Sequence, residues 1–138
     1  MMKDKNLKVL VVDADAKNSE LIDADLKLLP IELFTASSGE AGIKIIKNNS
    51  EFAVIISDYN LGSGMTGGDL FKLVGECSPK TSRILMADGV DEDSFKNMVS
   101  HGFIEEYVLK PIFFKSLVSH VEKGLEFYKK KIEWRKTG

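Results

Sequence analysis

Short apolar runs alternate with segments of helical period along the whole chain, and that alternation restricts the fold more than any single motif. Leu7–Val12 is a continuous valine-rich run and Phe52–Ser57 is apolar almost throughout, the mark of strands buried on both faces. Ile31–Ala36, Arg83–Ala87 and Tyr107–Leu109 are three further strand-like stretches. Between the first two strands, Leu21, Ile22, Leu26 and Leu29 fall at helical spacing, with Pro30 as the stop. Ser38 can cap a second helix through Ala41, Ile45 and Ile46, ending at Asn48 and Asn49. Leu70, Phe71, Val74 and Cys77 mark a third helix before Pro79. Asp91 opens a fourth, with Phe95, Met98 and Val99 inward, and Ile112 onward forms the last. The expected fold class is therefore α/β: a five-stranded parallel sheet in the flavodoxin-like order 2-1-3-4-5, with helices on both faces.

Composition narrows the function classes. A chain of 138 residues has the size of one domain with a real core. A net charge of −2 gives no bias toward nucleic acid or a membrane surface. Cys77 is the only cysteine, which excludes an internal disulfide and a thiolate zinc cluster; its place beside Leu70 and Val74 predicts a buried thiol. The opening MMKDKN does not read as a signal peptide, and no apolar run reaches transmembrane length, so the expected location is the cytoplasm. His101 and His120 have no metal-ligand company and are expected at the surface.

In the expected strand order the crevice lies between the carboxyl ends of the first and third strands. Asp13 and Asp58 end those strands, and Lys110, followed by Pro111, ends the fifth. Two carboxylates and an ammonium converging there suit a cation and a phosphoryl group.

Three segments carry a family pattern: VLVVDAD; ISDYNL with GMTGGDL; and GFIEEYVLKPI. In this order and spacing they resemble the response-regulator receiver domain of two-component signalling, over Lys8 to about Lys130. The resemblance implies a switch rather than an enzyme. Asp58 would be the phospho-acceptor, taking a phosphoryl group from a histidine kinase or phosphotransfer protein. Mg²⁺ would be held by Asp13, Asp58 and the backbone carbonyl of Asn60. Lys110 would contact a phosphate oxygen and, before phosphorylation, neutralise Asp58. The Lys110–Pro111 bond is a candidate cis peptide. Tyr107 matches the aromatic residue whose rotamer reports the active state.

The chain departs from that pattern at several places. Ala14 stands where a second acid usually follows the first, and Asp15 either caps the first helix or swings in as a substitute metal ligand. Met86 holds the place matched to the switch Ser or Thr, and no hydroxyl lies anywhere between Arg83 and Val90. Gly62 replaces the usual proline in a segment one residue longer than normal, which is expected to loosen the loop. These departures sustain an alternative: a phosphorylation-independent pseudo-receiver acting as a protein-interaction module. A phosphohydrolase of the haloacid-dehalogenase type, using Asp13 and Asp15 with Ser57 and Lys110, fails because the only acids after Lys110 lie in the final helix. Residues 1–130 form the expected receiver and 131–138 a basic tail continuing the last helix, with Lys129, Lys130, Lys131, Arg135 and Lys136 around Trp134. Leu117, Val121, Leu125, Tyr128 and Ile132 keep helical spacing beyond what packing on the sheet should require. The expected partners are a downstream protein target or a missing effector domain, with a homodimer through the last helices as the alternative. No direct contact with nucleic acid or membrane is expected.

Overall fold

The computed structural model describes residues 7–88, 92–111 and 114–137, with side chains described through 7–88, 92–111 and 117–133. The expected starts at Asp91 and Ile112, and the side chains of Trp134, Arg135 and Lys136, lie outside them. Five strands, β1 (Lys8–Val12), β2 (Glu32–Ala36), β3 (Val54–Asp58), β4 (Ser82–Ala87) and β5 (Glu106–Leu109), alternate with five helices. The helices are α1 (Ala16–Leu26), α2 (Gly39–Lys47), α3 (Gly67–Cys77), α4 (Glu92–Ser100) and α5 (Phe114–Thr137). The strands form one sheet in the order β2-β1-β3-β4-β5, and every pairing is parallel. The flavodoxin-like arrangement is as expected.

Alternation along each strand sends side chains to two cores. Val9, Val11, Val54, Ile56, Ile84 and Met86 pack with Ile22 and Leu26 of α1 and Leu117, Val121, Leu125 and Tyr128 of α5. Leu10, Val12, Ile55, Leu85 and Ala87 pack on the other face with Leu70, Phe71 and Val74 of α3 and Phe95 of α4. Two helices are tied to strands or their ends: Ser82 Oγ of β4 donates 2.7 Å to the Gly124 carbonyl of α5, and Gly67 N of α3 donates 2.8 Å to the carbonyl of Tyr59, just past β3.

Several local expectations require correction. α1 ends at Leu26 with Lys27 as its cap, so Leu29 lies beyond the helix although it still packs against the core. Leu21 is 51 % exposed because its neighbour Ile22 takes the inward position. Val99 is also exposed, and α4 faces the core through Phe95 with Met98 packed beside it. Cys77 is exposed, not buried. It is the last residue of α3, where the chain turns away at Ser78, and its thiol donates back to Leu73 O. Conversely, the long apolar stripe of α5 is used within the domain: Tyr128 is buried and Ile132 packs against the first core.

Candidate functional site

The carboxyl ends of β1, β3, β4 and β5 carry the site. Backbone pairing continues one residue past β1, β3 and β5, which holds the first residue of each loop in line with the sheet. Asp13 N donates to Ala36 O at 3.0 Å, Tyr59 N to Met86 O at 2.8 Å, and Lys110 N to Ala87 O at 2.9 Å. Asp13 and Asp58 are both buried. Lys110 reaches over the end of β4 and places Nζ 2.7 Å from Asp58 Oδ2. The Lys110–Pro111 peptide is cis, as expected.

The electrostatics follow from burial and these neighbours. Burial is the main influence raising the Asp58 carboxyl above its ordinary value; Lys110 and the Asn60 backbone oppose this, while the charge of Asp13 adds to it. Burial opposes the charge on Lys110, but the hydrogen bond and charge of Asp58, with Asp13 and Asp88, prevail and raise it.

Asp13 is held by two donors, Asp15 N at 2.9 Å on Oδ1 and Asn18 Nδ2 at 2.6 Å on Oδ2. Sequence reasoning missed Asn18. Its signal was a polar residue in the first turn of the helix after an aspartate-ended strand. Asp15 is the N-cap of α1, accepting from Lys17 N and Asn18 N. Asn60 turns its side-chain oxygen to Gly62 N at 3.0 Å, leaving its backbone carbonyl for other uses. Gly62 has φ +82°, a conformation closed to proline.

A cavity of about 250 Å³ opens beside Asp58, lined also by Tyr59, Asn60, Thr66, Ala87, Asp88 and Phe95. Met86 does not line it. Its side chain lies wholly buried in the α1/α5 core, and Ala87 is the β4 residue at the cavity wall. Met86 and Ala87 thus face opposite sides of the sheet, because consecutive strand residues alternate. The absence of a hydroxyl on this strand end is unaffected. Tyr107 donates its hydroxyl 2.8 Å to Glu92 Oε2, tying β5 to the start of α4, and its ring packs 6.0 Å from that of Phe95.

Among the described residues no group of three or more His, Cys, Asp or Glu is placed to hold a metal. Mg²⁺ keeps several waters and needs only one or two carboxylates. Asp13 and Asp58 supply that number, and each carboxylate has about four lone-pair sites, more than the amide and ammonium donors fill. The residues therefore fit Mg²⁺, at the low end of its protein-ligand count.

The model of the response regulator receiver domain matches residues 9–122. The chain belongs to that family. Receivers are signalling modules rather than catalysts in the usual sense, they generally use Mg²⁺, and they typically pair with histidine kinases or phosphotransfer proteins. No curated protein matches the sequence. Solved structures agree in fold. An adenylate cyclase structure from Rhodopirellula baltica is 23% identical, with a TM-score of 0.88 over 96% of this chain and 99% of that one. The signal receiver domain of an HD domain-containing protein from Pseudomonas fluorescens Pf-5 is 22% identical, with a TM-score of 0.85 over 96% of both chains. A response regulator receiver domain protein from Clostridium thermocellum is 24% identical, with a TM-score of 0.81 over 92% of this chain and 98% of that one. Among the described residues, no helix of this receiver is long and apolar enough to cross a membrane.

Proposed function

We propose that this receiver accepts a phosphoryl group on Asp58 from a phosphohistidine and acts as a conformational or partner-binding switch. The observation that carries the reading is the 2.7 Å contact of Lys110 Nζ with Asp58 Oδ2 in a crevice shared with Asp13. In the reaction a carboxylate oxygen of Asp58 forms a new P–O bond as the P–N bond to the donor imidazole breaks. The electron pair of the broken bond stays on that imidazole. Lys110 holds the acceptor carboxylate and offers an ammonium to the incoming phosphate oxygens. Asp13, Asp58 and the Asn60 carbonyl would hold Mg²⁺, which when bound supplies charge neutralisation to the phosphoryl oxygens.

A second reading is favoured by Ala87 at the cavity wall, Ala14 after Asp13, and the Tyr107–Glu92 hydrogen bond. Without a hydroxyl at the carboxyl end of β4, one phosphate contact that could couple to Tyr107 is missing. The fold would then serve as a pseudo-receiver, binding a partner without phosphorylation.

One experiment separates the two. The protein is incubated with saturating Mg²⁺ and a small acyl phosphate, and its intact mass is measured beside Asp58→Asn. The expected result is a phosphoryl adduct on the wild type and none on the variant. No adduct on the wild type would sink phosphorylation and leave the interaction module.

A further inference from the structure

A second cleft of about 410 Å³ lies between α3 and the turn joining α4 to β5. It sits toward the amino end of β4, away from the Asp58 end of the sheet, and the phosphorylation chemistry uses none of it. One wall carries Phe71, Lys72 and Gly75, the other His101 and Phe103, and Arg83 also lines the space.

Arg83 is the unusual group. It is only 7 % exposed, yet its guanidinium is incompletely matched among the described residues. A guanidinium presents five N–H donors in a fixed plane. Among the described residues Nε is shielded from solvent and has no hydrogen-bond partner, and Nη2 stands 3.5 Å from Glu105 Oε1. That oxygen is also held by Lys131 Nζ at 3.0 Å, so Arg83 shares its counter-ion with a second, closer cation. Nη1 lies against Gly75, where a Cβ would come within 2.6 Å; the glycine makes the space the guanidinium occupies. A buried, under-satisfied cation is costly and favours an anion.

The surroundings select the kind of anion. Phe71 is buried, whereas Phe103 is 44 % exposed and stacks on the His101 ring at 6.0 Å and 12°. His101 Nδ1 donates to Asn97 O at 2.8 Å, which fixes the ring of that stack. Lys72 adds a second cation, and among the described residues Glu76 is the one acid lining the cleft. We propose that this cleft binds a small monocarboxylate with a flat apolar body. The carboxylate pairs with the Arg83 guanidinium, and the body lies against the exposed Phe103 ring.

The full chain, ¹⁵N-labelled, is titrated with sodium benzoate while the Arg83 Nε–H, Gly75 and Gly102 resonances are followed. Saturable movement of all three is expected, with no saturable movement for neutral benzamide. Arg83→Lys should weaken binding by about tenfold through loss of the planar donor pair. Because a change at Arg83 can disturb folding, Phe103→Ala provides an independent test at an exposed position and should weaken benzoate several-fold. The proposal is overturned if benzoate gives no saturable shift, if benzamide binds equally well, or if Phe103→Ala leaves the affinity unchanged. Inorganic phosphate binding as tightly as benzoate would also overturn it, since the apolar walls would then contribute nothing.

Discussion

Lys110 and Asp58 meet at 2.7 Å although their strands are not neighbours, because the lysine spans the carboxyl end of β4. Their titrations are therefore linked. Burial, with Asp13, makes native Asp58 keep its proton to higher pH than the unfolded chain does. Across that window the native state binds more protons, so this group's contribution to stability falls as pH rises from its unfolded value through its native one. Lys110, raised in the native state, contributes stability below its unfolded value that is lost as pH climbs through the native one. Lys110→Met should move the Asp58 midpoint up and Asp13→Asn should move it down, both read by carboxyl ¹³C NMR. A downward shift in Lys110→Met would contradict this account.

Ala87 and Met86 make opposite predictions for the same added group. Ala87→Ser places a hydroxyl at the cavity beside Asp58 and should favour the phosphorylated form by about 1 kcal/mol, roughly fivefold in its lifetime or steady-state fraction. Met86→Ser puts the hydroxyl in the α1/α5 core. It should cost about 2–5 kcal/mol in urea unfolding and bring no phosphorylation gain.

Gly67 sits where α3 begins, and a Cβ there would come 2.4 Å from the Asp58 carbonyl oxygen and 3.1 Å from Leu85 Cδ1. Gly67→Ala should therefore destabilise the protein by about 1–3 kcal/mol. Because the displaced atom belongs to Asp58 itself, adduct formation should slow in the fraction that remains folded. Unchanged kinetics would show that the loop relaxes without moving the acceptor.

Restoring the second acid addresses the metal. Ala14 is exposed directly after Asp13, and Ala14→Asp should tighten Mg²⁺ by roughly tenfold through one added carboxylate. The new charge should also raise the Asp58 midpoint in metal-free protein. Calorimetric titration with Mg²⁺ tests the first effect and carboxyl NMR the second.

At the opposite end of the sheet, Tyr128 donates 2.8 Å to Glu51 Oε1, whose other oxygen accepts from Ser78 at 3.3 Å. Tyr128→Phe should cost about 1 kcal/mol and Tyr128→Ala about 3–5 kcal/mol, by chemical denaturation. Burial, with Glu51, raises the Tyr128 hydroxyl above the usual tyrosine range. Wild-type stability should accordingly fall as pH passes that range, and Tyr128→Phe should lack this loss.

The sheet order and the meeting of Asp58 with Lys110 were legible in the sequence because each rests on a repeated pattern. Apolar strands at regular intervals impose the topology, and the topology brings their charged ends together. What escaped the sequence depended on single-residue geometry. Met86 and Ala87 differ by one position, yet a pleated strand sends them to different cores. Cys77 shares the face of Leu70 and Val74 but lies where α3 stops. The partner of Tyr128 stands 77 residues away in sequence, a separation that periodicity cannot register. Arg83 read as the start of a strand, and its buried, poorly matched charge emerges only when α3 and Glu105 close around it.

The Tyr128–Glu51 fastening is also the first of three closely spaced holds on α5. Lys131 Nζ pairs with Glu105 at 3.0 Å, and Ile132 packs on the first core. The helix runs on to Thr137, about 8 Å past the last of these holds at about 1.5 Å per residue. A shift of α5 against the sheet must therefore move all three anchors together, so the helix answers such a shift as one rigid body rather than by bending near its end.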